Sequence, residues 1–373
     1  MSAAQYLRLA LRLARRGFGA TSPNPMVGAV VVRAGKILGR GWHRRAGEPH
    51  AEIEALRDAQ TRGRSVRGAT LYVTLEPCCT HGRTPPCTDA IVAAGLKRVV
   101  AGATDPNPRH AGRGFELLQR AGLEVVSGVL AEDCTRLNEA FNHWIVHRTP
   151  LVTVKAAMTL DGKIATAAGE SKWITGERAR AHGMKLRRGS DAILCGINTL
   201  LADDPSLTLR PAGPRPPLRR IILDSLARTP LTAQVVVDEY AKYTTIVVGR
   251  HAPKKRIAAL AKKVTVLIAP AARHSSLITH HSSLDLPWLL KKLGADGVTS
   301  LLVEGGGEVN ASFLLGGLAQ RAAFFYAPKI LGGRDSRPGV AGGGARSLRE
   351  AIPLTDLRWR QLGPDLLLTA RAG

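Results

Sequence analysis

The stretch from His50 to Cys87 constrains this chain more than any other: His50-Ala51-Glu52, then Glu76-Pro77-Cys78-Cys79-Thr80-His81-Gly82-Arg83-Thr84-Pro85-Pro86-Cys87. One imidazole and two thiols from separate points of the chain are borderline-soft N and S donors that suit Zn²⁺, so the fold has to bring those points together. Glu52 stands too close to His50 to serve easily as a fourth ligand. His50, Cys78 and Cys87 then leave one corner of a tetrahedral site for water. Pro49-His50 and Pro77-Cys78 both sit where an apolar strand gives way to a helical pattern, so helix N-termini are expected at the metal, favouring thiolate over thiol. Alone, either motif reads as a buried histidine or a redox pair; together, in this order, they read as zinc. Cys79 is the spare thiol, and a closed structural site would recruit Cys79 or His81 as well.

In zinc deaminases a His/Cys/Cys set holds the hydroxide that attacks an amino-bearing ring carbon, while a glutamate moves protons without touching the metal. Glu52 suits that catalytic role. His-Ala-Glu, Thr-Leu-Glu-Pro-Cys (Thr74 to Cys78), His-Gly-Arg-Thr-Pro-Pro-Cys (His81 to Cys87) and Asp-Pro-Asn-Pro (Asp105 to Pro108) resemble the bifunctional deaminase/reductase family of riboflavin biosynthesis, called RibD or RibG. Eight residues separate Cys78 from Cys87. Nucleic-acid deaminases close that gap with two, so the spacing argues for a small nucleotide-like substrate. The resemblance implies that Asn24, His43, Arg83, Asp105 and Asn107 hold the base, ribose and phosphate of that substrate. Pro23-Asn24-Pro25 cannot be helix interior, and it presents Asn24 from a rigid turn before a strand.

A chain of 373 residues is long for one average domain and ample for two. No apolar run reaches membrane-spanning length, and Ser2 to Arg16 reads as a capped amphipathic helix rather than a signal peptide, so a cytoplasmic protein is expected. Five cysteines, three of them at the proposed metal site, fit a reducing compartment, with Cys134 and Cys195 structural. The formal charge of +24 invites nucleic acid, yet the basic residues are scattered and aromatics make up only 4%. Small phosphorylated ligands are the better match. A homo-oligomer with no specific nucleic-acid and no membrane partner is expected.

Strand and helix signals alternate from 1 to 147, with Leu137 to Val146 read as one helix, and then again from 151 to 373. Arg148-Thr149-Pro150 forms the junction. The expected fold is α/β with two domains, an N-terminal layered, mixed sheet, which the resemblance implies is cytidine-deaminase-like, and a C-terminal mainly parallel sheet with its ligand at the strand C-termini. In the second half, Leu301-Leu302-Val303-Glu304-Gly305-Gly306-Gly307-Glu308 runs an apolar strand into glycines that open a helix, which suits a phosphate. It is not the Gly-x-Gly-x-x-Gly fingerprint.

Lys155 to Lys163, Gly169 to Thr175 and Thr199 to Pro205 resemble the reductase half of the same family, whose fold is similar to dihydrofolate reductase and whose coenzyme is NADPH. The resemblance implies that Ala157, Trp173, Thr199, Asp203, Ser225 and the run Gly306, Gly307, Glu308, Val309, Asn310, Ala311 and Ser312 contact NADP. It further implies that Ser171, Arg187, Leu207, Arg210 and Glu304 contact the ribosyl-phosphate substrate. Lys155 or Asp203 is nominated as proton donor. The coenzyme's 2′-phosphate partner cannot be chosen from sequence among so many arginines. An RNA or mononucleotide zinc deaminase with an accessory domain is the alternative, which leaves the second half unexplained.

Overall fold

A computed structural model describes residues 1–81, 85–210, 216–271 and 284–373. The chain divides into two compact units, Met1–Arg148 and Thr149–Gly373.

The first unit opens with α1 (Ala3–Ala14), capped reciprocally: the Ser2 hydroxyl accepts from the Gln5 amide, and the Gln5 side chain accepts from the Ser2 amide. There follow β1 (Gly28–Arg33), β2 (Lys36–Trp42), α2 (Ala51–Thr61), β3 (Thr70–Leu75), α3 (Cys87–Ala93), β4 (Arg98–Ala103), α4 (Arg113–Arg120), β5 (Glu124–Val126), α5 (Ala131–Leu137) and α6 (Glu139–His147). The strands form a mixed sheet in the order β2-β1-β3-β4-β5, antiparallel around β1 and parallel from β3 outward. Successive strand side chains point to opposite faces. Val30, Val32, Tyr72 and Val100 therefore pack with Tyr6, Leu7, Ala10 and Leu13 of α1, while Val31, Leu71, Val73 and Val99 pack with Ala55, Ile91 and Leu118 of α2, α3 and α4. The result is three layers. A Cβ at Gly41 would lie 2.3 Å from the Ala51 carbonyl, so only glycine lets β2 run against the first turn of α2, the helix that opens at His50.

Two local expectations are corrected. Pro77-Cys78 opens no helix; the chain leaves β3 as a loop, and the helix starts at Cys87 after Pro86. The single helix over Leu137 to Val146 is broken at Asn138. There the buried side-chain amide exchanges hydrogen bonds with the Met26 backbone, accepting from its N–H at 2.8 Å and donating to its carbonyl at 2.9 Å.

The second unit runs β6 (Leu151–Thr159), β7 (Lys163–Ala165), α7 (Glu177–Arg188), β8 (Ala192–Gly196), α8 (Ile197–Asp203), β9 (Arg219–Leu223), α9 (Gln234–Val237), β10 (Thr244–Val248), α10 (Lys254–Ala261), β11 (Thr265–Ile268), α11 (Leu286–Ala295), β12 (Ser300–Val303), α12 (Gly307–Leu314), β13 (Arg321–Ala327), β14 (Arg337–Pro338), β15 (Leu354–Leu362) and β16 (Asp365–Ala372). Its main sheet has the order β11-β10-β9-β8-β12-β6-β13-β16-β15. The strands from β11 to β13 are parallel, and β16 and β15 close the edge antiparallel. Val154, Leu194, Ile221 and Val303 pack toward α11 and α12, and Ile193, Cys195, Ile222 and Ile246 toward the opposite face. No helix among the described residues is long and apolar enough to cross a membrane.

Arg220 on β9 is fully buried and uses all five guanidinium N–H groups. Two meet the Asp238 carboxylate at 2.6 and 2.7 Å, one meets the Thr244 hydroxyl, and two meet the carbonyls of Ser206 and Val235. Removing one partner of a buried pair strands the other charge. Asp238→Ala is expected to lower unfolding free energy by about 3–5 kcal/mol in urea titrations; a loss within 1 kcal/mol of zero, on the order of an exposed pair, would show that the pair is dispensable.

Candidate active sites

In the first unit, two of the three expected ligands stand at helix starts: His50 caps α2 with extended backbone, and Cys87 is the first residue of α3. Cys78 reaches them from the loop after β3. Its Sγ lies 3.4 Å from His50 Nδ1, Cys87 Sγ lies 3.3 Å from the same nitrogen, and the Cys87 amide donates to Cys78 Sγ at 3.4 Å. One nitrogen and two sulfurs thus converge within 4.8 Å of one another, which is the donor set and the spacing that zinc takes. Among the described residues the cluster stops at three. Cys79 Sγ is engaged elsewhere, 3.3 Å from His110 Nδ1, which argues against the closed structural site.

The Cys78 thiol is drawn well below its ordinary value, chiefly by the hydrogen bond from the Cys87 thiol, with burial opposing and His50 adding. The same bond pushes Cys87 up. The two sulfurs share a proton through that bond, and a cation that takes both must displace it. Glu52 is buried beside them. Burial pushes its carboxyl up to about 7, the negative charge on Cys78 adds to that, and His50 opposes it. A carboxyl poised there can accept and return a proton near neutral pH.

His43 stands edge-on to His50, with ring centroids 5.3 Å apart. Its Nδ1 faces the Pro49 carbonyl at 3.1 Å and so must be the donor, which leaves Nε2 to accept from the Asn24 amide at 3.1 Å. Burial lowers the His43 pKa, consistent with a neutral ring. Asp105 and Asn107 shape their own loop: Asp105 accepts from the Asn107 amide, and Asn107 from the Arg109 amide. Arg83 lies outside the described residues. Sequence reasoning missed Glu76, whose buried carboxylate accepts from the amides of Asp105, Gly112 and Gly114 at 2.8 to 3.0 Å. It ties the turn that carries Cys78 to the loop that carries Asp105. Its position just before Pro77-Cys78 at the end of an apolar strand was the available signal.

The second unit holds a cavity of about 960 Å³. Ala157, Thr199, Asp203, Ser225, Gly306, Gly307, Glu308, Val309 and Ser312 line it, as do Ser171, Lys155 and Glu304. Gly306 caps α12 with extended backbone, and a Cβ at Gly307 would strike the Pro338 carbonyl at 2.4 Å. This bare helix start suits a phosphate. Three expected coenzyme contacts stand apart. Asn310 is buried and donates to the Gly339 carbonyl, Ala311 is core, and Trp173 is 67% exposed beneath the Arg180 guanidinium.

At the cavity floor Glu304 takes Arg187 through both oxygens at 2.8 and 3.0 Å, and Lys155 Nζ lies 3.6 Å away. Arg187 also donates to the Thr208 carbonyl, while Arg220 holds the Ser206 carbonyl. Between those two anchors the buried Leu207 adopts left-handed backbone, φ 51°, and this strain requires such anchoring. Arg210 is exposed and donates to the Ser206 hydroxyl. Asp203 pairs with Lys172 at 3.2 Å.

Residues 1–103 match the cytidine and deoxycytidylate deaminase zinc-binding region, and residues 150–368 match the RibD C-terminal domain. The riboflavin biosynthesis protein RibD of Actinobacillus pleuropneumoniae is 42% identical over 369 residues, covering 99% of this chain and 95% of that one. The chain belongs to the RibD family. The RibD of Aquifex aeolicus is 44% identical, covering 97% of this chain and 96% of its own. A crystal structure from Thermotoga maritima, titled a diaminohydroxyphosphoribosylaminopyrimidine deaminase/5-amino-6-(5-phosphoribosylamino)uracil reductase, superposes with a TM-score of 0.84. It is 34% identical and covers 100% of this chain and 99% of that one. In RibD terms, the His50, Cys78 and Cys87 cluster falls in the deaminase-type zinc-binding region and the cavity falls in the RibD C-terminal domain.

Burial alone would raise the Glu304 pKa, but Lys155 and Arg187 outweigh it and hold the carboxyl at about 2, below its ordinary 4.5. A depressed acid contributes stability that is complete above the unfolded value and lost as pH falls through the folded one. Urea midpoints of the native protein and of Glu304→Gln are therefore expected to differ most above pH 5 and to converge between about 4.5 and about 2. A gap that stays constant across that window would show that Glu304 is not held ionised.

Proposed function

We propose that the chain is a bifunctional enzyme of riboflavin biosynthesis. Its first unit hydrolytically deaminates a diaminopyrimidinone carrying a ribosylamino phosphate, and its second unit reduces the ribosyl group of the product to ribityl with NADPH. The convergence of His50, Cys78 and Cys87 beside a buried Glu52 carries the first half of this reading. Five free cysteines fit a reducing cytoplasm.

His50, Cys78 and Cys87 would hold zinc, which when bound would supply the Lewis acidity that makes hydroxide available from water near neutral pH. Glu52 takes the proton of the attacking water and hands it to the departing amine, so that ammonia leaves and the ring becomes a uracil. Its burial keeps bulk solvent from competing for that proton. The neutral His43 and the Asn24 amide it fixes form one wall of the site, where a donor and an acceptor can read the ring edge.

In the second unit the cavity lined by Lys155, Glu304 and the glycines that open α12 would hold NADPH, which when bound would supply a hydride for C1 of the ribosyl group. As that carbon accepts the hydride, its bond to the ring oxygen breaks, and the oxygen needs a proton. Lys155 is the better donor of the two nominated. Its ammonium faces the cavity floor beside Glu304, whereas Asp203 is engaged as an acceptor by Lys172 and Ser171. Glu304, kept ionised, holds Lys155 and Arg187 in place and can accept from a ribosyl hydroxyl.

Glu52→Gln is expected to retain zinc by metal analysis and to lose roughly 10²- to 10⁴-fold in ammonia release, the worth of a general acid–base. NADPH oxidation with already deaminated substrate should survive in that variant; if both activities fall together, the division of labour is wrong. Lys155→Met should show the converse, losing reduction at saturating coenzyme while ammonia release is kept. Unchanged reduction in that variant would remove Lys155 from the chemistry.

A further inference from the structure

The order of the parallel strands lays out the second unit's cavity as a line. Lys155 and Ala157 lie on β6, the next strand β12 leads into Glu304 and the glycines that open α12, β8 leads into Asn198 and Thr199, and β9 leads into Ser225 and Arg228. Neighbouring strands stand about 4.8 Å apart, so the three steps from β6 to β9 cover roughly 14 Å. That is comparable with the reach of an extended dinucleotide. With the reacting ring at Lys155 and the diphosphate at the α12 N-terminus, the adenosine end falls at β9. Leu223, the last residue of β9, and Leu226 give that end of the cavity the apolar surface an adenine requires.

Among the described residues, the cations lining the cavity are Lys155, Arg228 and Arg337. Lys155 is held by Glu304. Arg337 sits on β14, paired with Ala165 of β7, the strand that folds back from β6 at the reacting end. Arg228 alone of the three stands at the far end. Its guanidinium donates to the side-chain oxygen of Asn198 at 3.2 Å, and no carboxylate pairs with it among the described residues. The contact with Asn198 ties the loop after β9 to the first turn of α8. It aims a forked, uncompensated cation at the place where the adenosine ribose would lie, with the Ser225 hydroxyl on the same loop.

We propose that Arg228 sets the preference for NADPH over NADH in this chain, its guanidinium binding the 2′-phosphate of the adenosine ribose together with Ser225. The proposal rests on reading the cavity as the coenzyme site. A planar fork matches a phosphate bidentately, and a charge-assisted pair discriminates between ligands with and without the phosphate.

Calorimetric titration of the full chain with 2′,5′-ADP and with 5′-AMP tests this without turnover. The native protein should bind 2′,5′-ADP roughly tenfold to a hundredfold more tightly than 5′-AMP. Arg228→Ala should erase that difference and leave 5′-AMP binding unchanged, while Arg228→Lys, which keeps the charge without the fork, should retain part of it. In steady-state assays KM for NADPH should rise by a similar factor in Arg228→Ala, with KM for NADH and ammonia release unaffected. A preference for 2′,5′-ADP that persists in Arg228→Ala overturns the proposal, as does a native protein that binds the two nucleotides equally. If the native protein binds neither nucleotide and oxidises neither coenzyme, the coenzyme reading of the cavity itself falls.

Discussion

A β-sheet covered on both faces leaves its strand ends as the place where backbone, helix starts and polar side chains can meet a ligand, and that constraint governs both halves of this chain. Apolar runs in β1, β3 and β4, and again in β8, β9, β10 and β12, are buried on both faces and must be covered by helices on each side. What remains open is the edge where strands hand over to helices. His50 and Cys87 begin α2 and α3, and Gly306 caps α12. Fold and chemistry are thus tied by one requirement. The contact of Gly41 with Ala51 illustrates it, because the closeness of sheet to helix that buries apolar surface also sets where His50 stands.

The second recurring device is the buried charged side chain that holds backbone. Glu76 gathers three amides from the loop that carries Asp105 and the start of α4, and Arg220 and Arg187 each take a carbonyl from the segment around Leu207. Loops at strand ends have no ladder partners, so their amides and carbonyls need side chains. A multidentate ion satisfies several at once. This explains how Leu207 is kept in left-handed backbone, and why Arg187 meets Glu304 and the loop rather than standing free.

Most of the fold was legible because its elements carry strong periodicity. Strands and helices alternate through both halves, and the apolar run Leu301 to Val303 is a strand that leads through glycines into α12, where the pattern puts them. β15 was not legible: nearly all of it is exposed, so no buried apolar face marks it, and only pairing with β16 makes it a strand. The break at Asn138 was hidden for a different reason, since its cause is the Met26 backbone, far away in sequence. The metal cluster could be read because zinc chemistry restricts residue type and spacing. Glu76 could not be assigned its role, because a carboxylate before Pro77-Cys78 looks the same in sequence whether it meets a ligand or three amides.

The same distinction accounts for the arginine content. A guanidinium carries five N–H donors in a rigid plane, so one arginine can satisfy carbonyls from two segments where a lysine offers a single mobile point. Arg33, Arg64, Arg180 and Arg256 donate to backbone carbonyls, as Arg187 and Arg220 do. These cations serve as clamps for loops, and they add to the net charge of +24 as a by-product of that work. Charge is therefore a poor guide to partners in this chain, and the position of each guanidinium relative to backbone is a better one. An arginine whose donors meet carbonyls holds backbone. One that lines a cavity and meets only an amide oxygen, as Arg228 does, is a candidate for recognising an anion.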